Sequence, residues 1–214
     1  MEEDPELHYF SPEIAEAYDK MWSNVKSHGS GAGKTIKDSY ERFFSMVPKG
    51  GLILDVGCGT GFVDKYLAGR GFDVVGVDYS DAMLDIARRN VPDCEFRKMD
   101  IRKLEFEDHA FDGVLAVGGV LVHIGPEELG PLFSGFARVL KSGGAVFVAT
   151  RASDQPRVAV ESATEGGRIR VNYHTKGEIE VSMLGCGLSI VSYVEEPDVV
   201  GRPFRYMYVN AKKI

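Results

Sequence analysis

Apolar positions recur along this chain with two different periods, and the alternation between them predicts its elements. After Ser11-Pro12, a serine cap followed by proline at the first helical position, Ile14, Ala17, Tyr18, Met21, Trp22 and Val25 fall at helical spacing. The run His28-Gly29-Ser30-Gly31-Ala32-Gly33 breaks this face. A second helix is expected from about Lys34 to Met46, ending before Pro48. Short apolar runs then alternate with helical ones: strands near 52–56, 73–77, 94–98, 111–117 and 144–150, helices near 60–69, 80–89 and 126–139. That alternation predicts an α/β fold around a parallel sheet. Past Arg151 the rhythm changes. Residues 151–174 carry few large apolar side chains and include Gly166-Gly167, so they read as a mobile loop or lid. Thr175-x-x-Glu178 is a capping box that opens a helix closed near Gly185 or Gly187. Leu188–Val194 and Phe204–Val209 read as two final strands around a turn-rich segment, 196–203.

At 214 residues the pattern suits one domain. Its parts are an N-terminal helical cap over 1–48, a core over 49–150 and a substrate-side portion over 151–214. A net charge of −7 supplies no footprint for tracking phosphate backbones, which argues against a nucleic-acid substrate. Cys58, Cys94 and Cys186 are odd in number and far apart. They suggest neither a disulfide framework nor a metal pair, and a reduced, cytoplasmic setting follows as the expectation. The acidic opening MEEDPELHYF lacks the apolar stretch of a signal peptide, and no run reaches membrane-spanning length.

The chemistry is concentrated in Leu52-Ile53-Leu54-Asp55-Val56-Gly57-Cys58-Gly59-Thr60-Gly61. An apolar strand, an acid and alternating glycines are followed by a second acid, Asp78, at the end of the next strand. The pattern belongs to a strand–turn–helix that holds a nucleoside-containing cofactor. In a dinucleotide site the turn faces an anionic pyrophosphate, for which Asp55 is a poor neighbour. It is a good neighbour for a cation. The third glycine or alanine of the dinucleotide spacing would also fall at Phe62. S-adenosylmethionine, with an α-ammonium and a sulfonium, fits better. Gly33-Lys34-Thr35 invites a phosphate-loop reading, but the first glycine of that motif would have to be His28. A glycine hinge that lets the first helix act as a lid explains those residues better.

The motifs LDVGCGTG at 54–61, GVDYS at 76–80 with Met83, Met99-Asp100, FDGVLAVGGVLVHI at 111–124 and LKSGGAVFV at 140–148 resemble the class I S-adenosylmethionine-dependent methyltransferases of small single-domain type. The resemblance implies a doubly wound, Rossmann-like seven-stranded sheet, mostly parallel with an antiparallel last strand and helices on both faces. It also implies S-adenosylmethionine as cofactor and S-adenosylhomocysteine as product. Asp55 would accept from the cofactor's amino group, and Gly57, Cys58, Gly59, Thr60 and Gly61 would let backbone approach its methionine part. Asp78 would bind the ribose hydroxyls, Tyr79 and Met83 would flank the adenine, and Asp100 with the Ile101 amide would meet its edge. Val117 would line the methionine channel. Tyr18, with Tyr9 and Trp22, would close over the site from the first helix.

Other assignments have competing structural explanations. His123 is a candidate general base, or a histidine packed on the Ile124-Gly125-Pro126 turn. Arg151 would anchor an anionic substrate, or be a solvated loop charge. Tyr173, His174 and Arg205 are candidates for the substrate wall, and Met83 could equally be helix core. Cys58 could be activated at a helix N-terminus, or simply be a small side chain in a crowded turn. No cluster has metal-ligand spacing, so a metal-free reaction is expected. The reading is a methyltransferase for a small-molecule O, N or S nucleophile. The alternatives are an enzyme acting on protein or RNA, and a non-catalytic cofactor-binding regulator. In similar enzymes an Asn/Asp-Pro-Pro-aromatic run after the fourth strand marks methylation of base or glutamine amino groups, and the resemblance therefore implies a different acceptor here, where that run is absent.

Overall fold

A computed structural model describes residues 11–24, 34–162, 168–197 and 205–214. In chain order it runs α1 (Pro12–Asn24), α2 (Lys34–Met46), β1 (Leu52–Val56), α3 (Phe62–Ala68), β2 (Asp73–Asp78), α4 (Asp81–Asn90), β3 (Glu95–Lys98) and β4 (Phe111–Ala116). Two 3-10 turns, Val120–His123 and Pro126–Glu128, lead into α5 (Leu129–Val139). Then follow β5 (Leu140–Ala152), β6 (Arg157–Ser162), β7 (Arg168–Tyr173), α6 (Lys176–Leu184), β8 (Leu188–Pro197) and β9 (Arg205–Lys213).

Seven strands form one sheet in the order β3-β2-β1-β4-β5-β9-β8. The strands from β3 to β5 pair in parallel, and β9 runs antiparallel to both β5 and β8. The central strands are buried on both faces, as continuous apolar runs such as Leu52-Ile53-Leu54 require. On one face α5 delivers Leu132, Phe133 and Phe136 to a cluster with Leu54, Val114 and Val148. On the other, Tyr40 and Phe43 of α2 pack on Ile53, Leu115 and Phe147, with ring centroids 4.9 Å apart for Tyr40 and Phe147. Each fully buried large side chain stabilises the fold by about 1.5–3 kcal/mol, so these two layers hold the strand ends that form the site.

The segment expected to be a lid, 151–174, is structured differently. Strand β5 continues to Ala152, and β6 and β7 pair as an antiparallel hairpin with Arg157 opposite Tyr173. In β7, Ile169 and Val171 are buried while Arg168 and Arg170 are exposed. The Arg-Ile-Arg-Val alternation is a period-two signal. Strand β6 masks it, because its valines, Val158 and Val160, are exposed along with Arg157 and no buried face stands out. The capping box stands as expected: the Thr175 hydroxyl accepts from the Glu178 amide at 3.1 Å, and a Glu178 carboxylate oxygen accepts from the Thr175 amide at 2.7 Å. The proposed hinge at 28–33 lies outside the described residues.

Candidate active site

Positive φ values shape the turn that follows β1. Gly57, Gly59 and Gly61 adopt φ of 73°, 54° and 79°, a region that side-chain-bearing residues rarely enter. Two of the three also lack room for a Cβ: at Gly57 it would lie 2.5 Å from a Val120 methyl, and at Gly61 3.2 Å from Ala87. Gly59 differs. Its Cβ direction meets only the Tyr18 ring, at 3.6 Å, so this is where backbone lies open to a ligand. The amides of Gly57 and Cys58 donate to the Val77 carbonyl at 2.8 and 2.9 Å, which anchors the turn to β2.

Asp78, at the tip of β2, accepts from the Gly59 amide (3.0 Å) on one oxygen and the Ser80 amide (2.9 Å) on the other. A carboxylate can accept about four hydrogen bonds, so each oxygen keeps capacity for a hydroxyl. Burial pushes the Asp78 carboxyl upward, and the amides of Ser80 and Gly59 pull it back. Asp55 lies one residue before the end of β1, in register with Gly76 on β2 and Leu115 on β4. It is 1% exposed, and its Oδ2 has no partner among the described residues. Burial first, then Asp64 and Asp78, push its carboxyl well above the usual range. The Thr60 hydroxyl is likewise buried and unpartnered.

Tyr18 crosses this mouth. Its hydroxyl donates to the Gly118 carbonyl at 3.4 Å, and its ring edge faces Gly59. The helix that carries it is docked on α4, where Ala15 packs against Met83 and Ile86. Asn90 reinforces the joint, donating to Asp19 at 2.8 Å and to the Thr60 carbonyl at 2.9 Å. Met83 is helix core, 3% exposed and packed beneath α1. Trp22 lies within α1, and Tyr9 lies outside the described residues. Tyr79 is exposed and lines a pocket of ≈ 200 Å³ with Lys98, Met99, Asp100, Lys103 and Glu105. One Asp100 oxygen accepts from the Arg102 amide at 2.9 Å, and Ile101 packs on the core below. Val117 is buried, and Gly118 and Gly119 after it turn sharply with φ of 74° and 100°. For Cys58, burial and then the nearby carboxylates push the thiol up, so the turn does not activate it.

The substrate-side residues meet a different fate. His123 ends the 3-10 turn, half-buried, with its carbonyl accepting from Arg102 at 3.3 Å. Arg151 is neither a solvated loop charge nor an open anion site: it is 8% exposed and ion-paired to Glu161 of the hairpin. Tyr173, 3% exposed, donates its hydroxyl to the same Glu161 carboxylate. The Arg157 guanidinium sits 3.9 Å from the Tyr173 ring centroid. His174 is fully buried, its Nε2 bonded to the Leu121 carbonyl at 2.9 Å, and burial lowers its basicity. Arg205 is paired with Asp154 at 2.6 Å and Glu195 at 3.1 Å. Asp64, Asn90 and the Glu161 anchor have no counterpart in the sequence reading. For Asp64 the sequence offers an ordinary explanation, since a carboxylate in the first turn of a helix complements its dipole.

Among the described residues, no group of three His, Cys, Asp or Glu side chains could hold a metal ion, and no helix is long and apolar enough to cross a membrane. Residues 53–144 match the family model of a methyltransferase domain. The chain is 37% identical over 140 residues to the phosphatidylethanolamine N-methyltransferase of Cereibacter sphaeroides, covering 62% of this chain and 67% of that one. It is 33% identical over 102 residues to the ubiquinone biosynthesis O-methyltransferase of Nitrosomonas europaea, covering 46% of this chain and 43%, less than half, of that one. A solved S-adenosylmethionine-dependent methyltransferase from Methanosarcina mazei superposes with a TM-score of 0.72 at 19% identity, over 82% of this chain and 98% of its own. The methyltransferase-domain match, together with a 37% identical relative covered over 67% of its length, shows that this chain belongs to the class I S-adenosylmethionine-dependent methyltransferases.

Proposed function

We propose that the chain transfers a methyl group to an O, N or S nucleophile of a small molecule. The carrying observation is the β6–β7 hairpin, clasped to β5 through Arg151 and Glu161 and packed on the Val120–His123 turn that follows β4. A hairpin there suits an enclosed acceptor better than a broad macromolecular face. The names of relatives, a phosphatidylethanolamine N-methyltransferase and a ubiquinone biosynthesis O-methyltransferase, support small acceptors. The net charge of −7 and the dispersed, unpaired cysteines support a cytoplasmic protein without a nucleic-acid substrate.

When bound, S-adenosylmethionine supplies a methyl carbon made electrophilic by its sulfonium. Asp55 would balance the charge of its ammonium, and the open backbone at Gly59 would let its methionine part approach the turn. Asp78 accepts from the ribose hydroxyls. Asp100 and the Ile101 amide meet the adenine edge, and Tyr79 covers its face. Val117 lines the methionine part, and Tyr18 excludes water from above. His123, at the tip of the turn after β4, accepts a proton from nucleophiles that must lose one. Alignment of nucleophile and methyl contributes most of the rate.

Calorimetry with S-adenosylhomocysteine, followed by turnover on small amines, phenols and thiols, tests this reading. Binding with turnover on one small-molecule class is expected. Turnover confined to protein or RNA fractions would overturn the acceptor class, and cofactor binding without turnover anywhere would favour a regulator. His123→Ala should lower kcat about 100-fold or more while leaving cofactor affinity unchanged. An unchanged kcat would remove His123 from the chemistry.

A further inference from the structure

The carboxyl group behind the glycine turn is not Asp55 alone. Asp64, in the first turn of α3, is fully buried, and neither of its oxygens has a partner among the described residues. Gly76 creates the space it occupies. A Cβ there would lie 2.8 Å from Asp64 Oδ1 and 2.7 Å from the Phe96 ring. Gly76 is also the β2 residue in register with Asp55. The two acids therefore meet across one strand neighbour, and the charge of Asp64 adds to burial in pushing the Asp55 carboxyl up. Thr60, one turn before Asp64, adds a third buried side chain. Among the described residues, four oxygens in this nest, Asp55 Oδ2, Thr60 Oγ1 and both of Asp64, lack hydrogen-bond partners.

Other charges do not relieve the pair. From β2, Asp78 adds negative charge. The Cys58 thiol in the turn, the Cys94 thiol before β3 and the Tyr40 hydroxyl of α2 also face it, and burial pushes all three upward so that they stay neutral. None of these groups is a cation. Two carboxyls at such burial cannot both ionise without a positive partner; a shared proton satisfies both.

We propose that Asp64 is a positioning residue for the cofactor's α-ammonium: in the empty site it shares one proton with Asp55, and docking of the ammonium on Asp55 releases that proton to solvent. The step balances, since a carboxylic acid–carboxylate pair plus an ammonium becomes two carboxylates, the same ammonium and one solvent proton. The cation needed to ionise the pair arrives with the ligand. This inference rests on the cofactor reading above, and its test separates the two.

The full chain is titrated with S-adenosylhomocysteine between pH 5.5 and 7.5, in two buffers of different ionisation heat. A released proton appears as a buffer-dependent heat, and affinity tightens up to tenfold per pH unit. Adenosine, which lacks the ammonium, should bind without that release. Asp64→Asn keeps the shape and removes the titrating group. It should abolish the release and flatten the affinity profile, and Asp64→Ser should do the same if the amide perturbs packing. Equal proton release from wild type and both variants, or none from wild type, would overturn the role of Asp64. Absence of S-adenosylhomocysteine binding in any buffer would overturn the cofactor reading itself.

Discussion

The two ends of the active-site crevice treat their buried polar groups in opposite ways. Around the glycine turn, Asp55, Thr60 and Asp64 are sealed from water with oxygens left unpartnered. Beside β5, polar side chains are tied to one another or to backbone: Arg151 and Tyr173 to Glu161, Asn172 to the Val122 carbonyl, His174 through Nε2 to Leu121. Among the described residues, Thr150 Oγ1, His174 Nδ1 and Asn210 Oδ1 of the neighbouring β9 are single orphaned atoms on that side, each scattered among satisfied groups. Unmet hydrogen bonds cost stability and persist where a ligand completes them. The first end is therefore organised for a ligand, and the second for rigidity.

Substitutions can break that contrast. The largest effect is expected at the ligand end, where Asp78→Ala should weaken cofactor binding more than 100-fold by calorimetry, through loss of two charge-assisted hydrogen bonds. Circular dichroism should show the fold retained; an unchanged affinity would exclude Asp78 from the site. At the rigid end, Arg151→Met should lower the stability of the ligand-free protein by about 3 kcal/mol, because Glu161 is left without its cation. Arg151→Met with Glu161→Gln should cost less than the sum of the single variants. Additive losses in thermal denaturation would show that the pair is not coupled.

A third effect distinguishes the ends by pH. Burial pushes the Asp64 carboxyl from 3.8 to about 7, so the folded chain holds a proton that the unfolded chain releases. That raised value stabilises the fold below about pH 4, and the contribution is lost progressively as pH rises toward about 7. Asp55, also raised by burial, acts in the same direction. Chemical denaturation across this window should show ligand-free stability falling as pH rises, and Asp64→Asn should flatten the fall. A stability that rose with pH in wild type and variant alike would contradict the buried, protonated pair. The smallest effect belongs to Tyr18→Leu, which should weaken cofactor binding a few-fold by opening the mouth over Gly59 while leaving thermal stability nearly unchanged. No change in affinity would mean that the ring does not cover the ligand.

The ligand end was far more legible in the amino-acid sequence than the rigid end. Strand β1, its glycine turn and the acid at the tip of β2 lie within 27 consecutive residues, 52 to 78, so their geometry is set by local backbone chemistry. Gly57, Gly59 and Gly61 announce positive φ, and Asp55 announces a cation. Met83 stays open between adenine and helix core in the sequence because helical spacing does not say which neighbour a side chain meets; Ala15, more than sixty residues earlier in the chain, packs against it. The hairpin was missed because its strands bury one face only, and β6 is mostly exposed.

By itself the sequence determined the parallel core, the left-handed glycine turn after β1 and the kind of cofactor, since each depends on residues close in the chain. Tertiary structure alone decided that Arg151 would be consumed by Glu161, that His174 would be sealed under the turn holding Leu121, and that Asp64 would face Asp55 across Gly76. Those outcomes depend on burial and on partners brought together by strand order. A charged side chain's chemistry is set by the partner it finds, and sequence spacing does not name that partner.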